Sequence, residues 1–190
     1  MKKPLLYLIL KPLIVFFIKV FFRPKYIGLE NIPNEGSIVL AGNHTFYFDP
    51  LLIISSTNRV VHFLAKDDLS KGLKGVIFNN MGIIPVNRKI HDKNALEKAE
   101  ECLHNGEVVG VFPEGTINRT DDIIMPFKIG AVKMSYDTDS YLIPFTIKGK
   151  YKIFNGKLVI EFFKPYKIGS NLDNENLKLM NTISDSLGKR

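Results

Sequence analysis

The chain alternates short apolar runs with longer stretches in which apolar and polar residues recur at helical spacing. The apolar runs are rich in β-branched residues and stop at polar or turn-forming residues, which is typical of buried strands. Strands are predicted near 37–41, 60–64, 83–87, 107–112, 142–147 and 157–163. Helices are predicted near 50–57, 70–79, 93–105 and 128–137, with a last one over 171–187. This alternation predicts an α/β fold whose sheet is mixed but largely parallel, with helices on both faces.

The first apolar run differs from the others because it is long and carries its few polar residues on one side. Residues 5–22 are apolar except for Tyr7, Lys11, Pro12 and Lys19. One ridge of a helix would collect Lys3, Tyr7, Lys11, Lys19 and Arg23. A narrow basic stripe beside a broad apolar face is typical of a helix that lies in the membrane interface, where anionic lipid head groups attract it.

Two other interpretations of this segment stay open. Spanning a membrane takes about 20 apolar residues, and a central lysine costs roughly 2.5–3.5 kcal/mol. A signal peptide would be followed by a small-residue cleavage pattern, which is missing here. Pro12 is expected to break or kink the helix into two short ones. We therefore expect a docking segment over residues 1–27 and one α/β domain over residues 28–190.

Charge is concentrated in the same segment. The chain has 26 basic and 19 acidic residues, and six of the basic ones precede the first acidic residue, Glu30. The rest of the chain is therefore nearly neutral. A nucleic-acid-binding protein would carry its basic residues on the folded domain beside a recognition motif, and the sequence has neither, so nucleic acid is not expected as a partner. Cys102 is the single cysteine, so no intramolecular disulfide can form.

The stretch that carries most chemical information follows the predicted strand 37–41. His44 precedes Asp49 by five residues, a spacing that puts two side chains about 140° apart on a regular helix. A strand-to-helix turn would bring them together, with Asp49 as the N-cap and Pro50 as the first helical residue. In such a turn the carboxylate fixes the tautomer of the imidazole and stabilises its protonated form. The alternative is that Asp49 only caps the helix and that His44 is a loop residue.

Other strand ends add polar residues. The strand 107–112 runs into Glu114, Gly115 and Thr116, and the strand near 83–87 leads to Arg88. In open α/β sheets the carboxyl ends of the strands gather ligands. His62, in contrast, lies within a predicted strand, where a buried and hydrogen-bonded role is expected.

Four blocks in this order resemble the glycerolipid acyltransferases of the 1-acylglycerol-3-phosphate acyltransferase type. The blocks are Asn43–Asp49, Gly82–Arg88, Phe112–Thr116 and Leu142–Ile147, and the resemblance spans about residues 28–165. It implies that an acyl thioester, either acyl-CoA or acyl carrier protein, donates a fatty acyl group. The acceptor would be the sn-2 hydroxyl of lysophosphatidic acid (1-acylglycerol 3-phosphate), the product would be phosphatidic acid, and no cofactor would be needed.

The resemblance also implies roles for individual residues. His44 would be the general base and Asp49 would orient it. Direct attack by the hydroxyl is favoured over an acyl-enzyme because the sequence has no Gly-x-Ser-x-Gly elbow. Arg88 would bind the phosphate of the acceptor through its planar fork of donors. The remaining predicted substrate-site residues are Glu114, Gly115, Thr116, Arg119 and Lys128; Glu114 is expected to fix the turn rather than touch phosphate.

Two positions depart from the family pattern. Phe46 stands two residues after the histidine, where the family commonly has a serine, and Ile117 stands where it usually has an arginine. These departures bear on the acceptor more than on the reaction type, so another lysolipid or glycerol 3-phosphate stays open as the acceptor. So do a hydrolase whose metal is held by His44, Asp49, Glu114 and His62, and a peripheral lipid-binding module without chemistry. No metal is expected, because the spacing of the ligands is not typical of a metal site. The expected location is the cytoplasmic face of the cell membrane, with peripheral or monotopic attachment.

Overall fold

A computed structural model describes residues 5–70, 72, 75, 77, 80–87, 92–154 and 156–188. Within them, seven strands form one sheet: β1 (Lys25–Ile27), β2 (Ile38–Gly42), β3 (Val61–Lys66), β4 (Ile84–Val86), β5 (Val108–Val111), β6 (Tyr141–Lys148) and β7 (Val159–Phe162). The α-helices that lie wholly within the described residues are α1 (Leu5–Phe17), α2 (Asp49–Ile54), α3 (Lys93–His104), α4 (Gly130–Asp137) and α5 (Leu172–Gly188). A π-helical stretch, Ile18–Phe22, follows α1, and short 3-10 turns occupy Leu29–Asn31 and Asp67–Ser70.

The sheet has the strand order β1-β7-β6-β2-β5-β3-β4. Every neighbouring pair is parallel except β6 and β7, which are antiparallel. The predicted mixed, largely parallel sheet is therefore confirmed. Because β5, β2 and β6 are parallel neighbours, their carboxyl ends meet at one edge of the sheet, which we call the carboxyl edge.

Two apolar cores cover the two faces of the sheet, as predicted. Alternate residues of β2 point to opposite sides, so Ile38 packs into the core shared with α1 and α2, and Val39 packs into the core shared with α3, α4 and α5. All five residues of β2 are buried. This explains why the central strands read as continuous apolar runs rather than as an alternating pattern.

Most predicted elements agree with the structure to within one to three residues at each end. Helix α3, for example, begins after Asp92, whose side chain accepts the N–H of Ala95 as an N-cap. The predicted helix near 70–79 falls largely outside the described residues. Strand β1 was not predicted, because only three residues form it and no apolar run marks it.

Helix α1 differs from the prediction at Pro12. The helix is continuous from Leu5 to Phe17 with Pro12 inside it, so the predicted division into two helices is wrong. A proline interior to a helix removes one backbone hydrogen bond, and packing on the rest of the protein must offset this cost. Such packing is present, since Tyr7 before the proline and Ile18 after it are fully buried.

The polar ridge of α1 points partly inward, contrary to expectation. The Tyr7 hydroxyl donates to the carbonyl of Arg59 and accepts the N–H of Val61, and Nζ of Lys11 donates to the same carbonyl at 2.9 Å. Lys19 and Arg23 are exposed, as predicted. The outward side of α1 and of the π-helical stretch is apolar and exposed, and we call it the outer apolar face: Leu5, Leu8, Ile9, Leu13, Phe16 and Val20.

The segment Leu5–Phe22 is also the one described helical segment that is long and apolar enough to cross a membrane, with a mean hydropathy of 2.3. The division at residue 27 stays a prediction. Strand β1, on the N-terminal side of that boundary, pairs with β7 and is part of the sheet.

Candidate active site

The loop that follows β2 is fixed to the neighbouring strand β6 by Asn43. The buried amide of Asn43 donates from Nδ2 to the carbonyl of Ile147 and accepts the N–H of the same residue at Oδ1, at 3.0 and 2.8 Å. Both backbone groups of Ile147 are thereby satisfied at the end of the sheet. The backbone of the next residue, His44, is consequently held in place by this anchor.

The predicted approach of His44 to Asp49 is present. Nδ1 of His44 lies 2.8 Å from Oδ2 of Asp49, and the carboxylate is fully buried while the imidazole is 13% exposed. A carboxylate accepts hydrogen bonds, so Nδ1 carries the proton and Nε2 is the nitrogen left for a substrate. This is the arrangement that general-base catalysis by an imidazole requires.

Asp49 acts on the preceding loop rather than on the helix that it begins. Its Oδ2 also accepts the backbone N–H groups of Thr45 and Phe46, at 2.6 and 2.8 Å, and its Oδ1 accepts the hydroxyl of Thr45 at 3.2 Å. The N-cap position of α2 is Phe48, so the prediction that Asp49 caps this helix is wrong by one residue. These donors compensate for the loss of water around a buried carboxylate.

Two residues that follow β5 contact His44 from the other side. The ring of Phe112 stacks on the imidazole, with centroids 4.0 Å apart and planes 15° from parallel. Glu114 is buried, and its two oxygens accept the N–H groups of His44 and Met125 at 2.8 and 2.9 Å. Burial raises the pKa of Glu114, and the two N–H donors oppose that shift. Glu114 therefore joins two loops, in agreement with the expectation that it fixes the turn.

The other predicted substrate-site residues surround this turn. Gly115 has φ of 72°, and a Cβ at this position would lie 3.0 Å from Nζ of Lys128, so the lysine side chain extends across the turn. Thr116 is exposed. Arg119 donates a hydrogen bond to the hydroxyl of Tyr47, and its guanidinium lies over the same ring at 5.9 Å. Arg88 lies outside the described residues, and its role stays a prediction.

Tyr151 is a site residue that the sequence did not indicate. It lies three residues beyond β6, and its hydroxyl donates to Oδ1 of Asp49 at 2.7 Å. Phe46, which occupies the position of the expected serine, stacks on its ring with centroids 5.0 Å apart. Tyr151 is 102 residues from Asp49 in the chain, and no motif surrounds it, so no sequence signal could have identified this contact.

His62 belongs to a different pair, so it does not join His44, Asp49 and Glu114. Its Nδ1 donates to the carbonyl of Gly82 at 2.8 Å, and its Nε2 lies 3.1 Å from Oε2 of Glu107. Among the described residues, His62, Cys102 and Glu107 form a group whose ligand atoms lie within 4.8 Å of one another, so they have the donor types to hold a metal ion. Burial, together with the negative charge of the neighbouring Glu107, raises the pKa of the Cys102 thiol to about 12. The predicted buried, hydrogen-bonded role of His62 is confirmed.

Comparison with known proteins places this geometry in a family. Residues 23–148 match the family model described as Acyltransferase. The chain is 35% identical over 130 residues to 1-acyl-sn-glycerol-3-phosphate acyltransferase of Borreliella burgdorferi, covering 67% of this chain and 52% of the relative. It is 27% identical over 127 residues to the protein of the same name in Bacillus subtilis, covering 66% of this chain and 62% of the relative.

The chain thus spans about half to three fifths of the length of these two curated relatives. A crystal structure of the 1-acyl-sn-glycerophosphate (LPA) acyltransferase from Thermotoga maritima has the same fold. The two structures align with a TM-score of 0.71 at 22% identity, and the alignment covers 93% of this chain and 79% of that one. The family match extends from the residues just before β1 through β6 and therefore includes the His44–Asp49 pair. The chain belongs to the acyltransferase family.

Proposed function

We propose that this protein transfers a fatty acyl group from a thioester to the sn-2 hydroxyl of 1-acylglycerol 3-phosphate and so forms phosphatidic acid. The observation that carries the proposal is the 2.8 Å contact between Nδ1 of His44 and a fully buried Asp49, which leaves Nε2 for a hydroxyl group. Family membership supports acyl transfer, and the names of the two relatives support this acceptor.

The reaction requires one base and no covalent intermediate on the protein. Nε2 of His44 removes the proton from the acceptor hydroxyl as the hydroxyl oxygen attacks the carbonyl carbon of the thioester. A C–O bond forms, and the carbonyl electron pair moves onto oxygen. The tetrahedral intermediate then collapses: the C–S bond breaks, and the departing sulfur takes the proton from His44. The products are an ester and a free thiol, and His44 is neutral again.

Cationic side chains near the Glu114 turn supply candidates for phosphate binding. Lys128 extends across Gly115, and Arg119 contacts Tyr47 in the same loop as His44. Both residues are exposed, as a site that must exchange a lipid head group requires. Ile117 cannot bind phosphate, so we assign the anion contacts to Arg119, Lys128 and Arg88. Arginine would contribute a bidentate contact and lysine a point charge.

The outer apolar face supports attachment to a membrane. Its six exposed side chains share a helical segment with the exposed Lys19, and the exposed Arg23 directly follows that segment, which favours a surface with anionic lipids. We place the enzyme on the cytoplasmic face of the cell membrane in peripheral or monotopic attachment. Acyl-CoA and acyl carrier protein are water-soluble donors, whereas the acceptor and the product are lipids, so the reaction needs a protein at this boundary.

The acceptor and the donor can be identified in one assay. Purified protein is incubated with lysophosphatidic acid and either labelled acyl-CoA or labelled acyl carrier protein. Lysophosphatidylcholine, lysophosphatidylethanolamine and glycerol 3-phosphate serve as competing acceptors. We expect label in phosphatidic acid. Label in another product would replace the acceptor but keep the reaction type, and no label in any lipid would contradict acyl transfer.

A matched pair of variants separates catalysis from lipid binding. His44→Ala should abolish label transfer while the protein still floats with vesicles that contain anionic lipid. His104→Ala, at the exposed end of α3, is the control and should retain transfer. If the wild type transfers label and the His44→Ala variant does so equally, His44 has no role in the mechanism. Flotation without transfer in the wild type would instead indicate a lipid-binding module.

A further inference from the structure

Asp49 uses its two oxygens for different tasks. Oδ2 accepts Nδ1 of His44 and two backbone N–H groups, all within 2.8 Å. Oδ1 has a short bond to the hydroxyl of Tyr151 at 2.7 Å and a longer one to the hydroxyl of Thr45 at 3.2 Å. Because Asp49 is fully buried, water cannot replace a missing donor. Tyr151 is therefore the closer partner of Oδ1, and together with the three donors to Oδ2 it fixes how the carboxylate is rotated about its bond to Cβ.

The position of Tyr151 is itself fixed. Phe46 stacks on its ring, and Phe22 meets the ring edge-on with centroids 5.4 Å apart. Gly149, between β6 and Tyr151, has φ of 93°, and a Cβ there would lie 2.0 Å from the carbonyl oxygen of Lys157. Only glycine allows this close approach, which turns the chain between β6 and Tyr151. Two ring contacts and the turn at Gly149 therefore fix the direction of the phenol.

The phenol remains a donor at physiological pH. Burial raises the pKa of Tyr151 well above its ordinary value, and the negative charge of Asp49 raises it further. Ionisation of Tyr151 is therefore not a competing state. Phe46, in contrast, has no side-chain donor, so the loop that carries His44 supplies Oδ1 with a hydroxyl only from Thr45.

We infer that Tyr151 is a positioning residue for acyl transfer, because its hydroxyl holds Oδ1 of Asp49 so that Oδ2 faces Nδ1 of His44. The inference rests on the proposed function. A carboxylate held at both oxygens keeps the imidazole in one tautomer and one orientation while the imidazole gains and loses a proton. Without the phenol, Asp49 could rotate toward other donors, and His44 would spend less time in the reactive orientation.

The direct test is Tyr151→Phe, which deletes the hydroxyl and keeps the ring on Phe46. We expect kcat to fall by about 5- to 50-fold, while KM for the acceptor and for the donor changes by less than about 2-fold. Tyr166→Phe is the matched control. It deletes another buried phenol oxygen, one without a hydrogen-bond partner among the described residues and on the opposite face of the sheet, and kcat should be retained.

A double-mutant cycle separates positioning from a general structural role. In an Asp49→Asn background, Tyr151→Phe should cause almost no further loss of the residual rate. The contact between the Asp49 carboxylate and His44, through which Tyr151 acts, is already lost in that background. An equal loss in both backgrounds would overturn the inference, as would an unchanged kcat or a change confined to KM. Rates are compared at a temperature at which circular dichroism shows all four proteins folded. Absence of transfer by the wild type contradicts the proposed function, whereas an active wild type with an equally active Tyr151→Phe contradicts only the role of Tyr151.

Discussion

Two histidine–carboxylate pairs lie beside the sheet in the described part of the chain, and they differ in how far a substrate can reach the imidazole. In the first pair Asp49 holds one nitrogen of His44 and the ring is 13% exposed. In the second pair Nδ1 of His62 donates to Gly82, Nε2 lies 3.1 Å from Oε2 of Glu107 without the geometry of a hydrogen bond, and the side chain is 3% exposed. The first pair follows the carboxyl end of β2, whereas Glu107 precedes the amino end of β5. Burial therefore closes the His62 ring to a substrate, whereas the His44 ring is partly exposed.

The largest expected difference comes from making the same substitution in both pairs. His44→Gln should lower kcat by about 10²- to 10⁴-fold with little change in the melting temperature, because it removes the general base. His62→Gln should retain kcat and lower the free energy of unfolding by roughly 1–3 kcal/mol, because it disturbs the buried hydrogen bond to Gly82. Steady-state kinetics and urea unfolding of both variants provide the measurement. A reversed pattern would exchange the roles of the two histidines.

The carboxylates should show the same contrast with a smaller effect on rate. Asp49→Asn should lower kcat by about 10- to 10³-fold, because an amide can turn its N–H₂ group toward Nδ1 and favour the wrong tautomer. Glu107→Gln should change kcat by less than about 2-fold and act on stability instead. Comparable losses of kcat in the two variants would show that the second pair contributes to catalysis.

The stacked ring beneath His44 is a further difference between the pairs. Phe112→Leu removes an aromatic face 4.0 Å from the imidazole but keeps an apolar side chain. We expect kcat to fall by roughly 3- to 10-fold, because stacking of this kind contributes about 0.5–1.5 kcal/mol to holding a ring. Phe63→Leu, one ring further from the imidazole in the same stack, is the control and should affect stability alone. Equal kcat for Phe112→Leu and wild type would show that Asp49 suffices to orient His44.

The smallest expected effect is a pH dependence of stability from Glu114. Burial raises its pKa in the folded state above the ordinary 4.5. As pH rises through 4.5 the unfolded chain loses this proton first, so the free energy of unfolding falls until the pH exceeds the folded pKa, and then levels off. Urea unfolding of wild type and Glu114→Gln at about pH 5 and about pH 8 isolates this contribution. The variant should lack it, and identical pH slopes would contradict the assignment.

Continuous apolar runs were enough to predict the parallel centre of the sheet, because β2, β5 and β6 are covered on both faces. The order of polar strand ends, together with the family resemblance, was enough to predict that His44 and Asp49 meet, since a strand-to-helix turn brings residues five apart together. It was also enough to assign Glu114 to the turn. These features are local in sequence or follow from the parallel arrangement.

Other features depend on contacts between distant segments and leave no local pattern. Pro12 predicts a helix break, yet burial of Tyr7 and Ile18 maintains the helix across it. Helical geometry predicts that Tyr7 and Lys11 lie on one stripe facing lipid head groups. That geometry identifies which residues share a stripe but not which side of the helix the protein covers. Tyr151 reaches Asp49 only because the β6–β7 loop folds back at Gly149.

The loop that carries Tyr151 packs against the first helical segment of the chain. The N–H of Phe154 donates to the carbonyl of Phe21 at 2.8 Å, the two rings pack together, and Phe22 meets Tyr151 edge-on. Trimming the chain before β1 to obtain a protein that needs no detergent would therefore uncover the apolar core. It would also remove the contacts that hold the loop of Tyr151. Solubility is better sought by polar replacement of outward residues such as Leu8 or Leu13, which leaves the inward side intact.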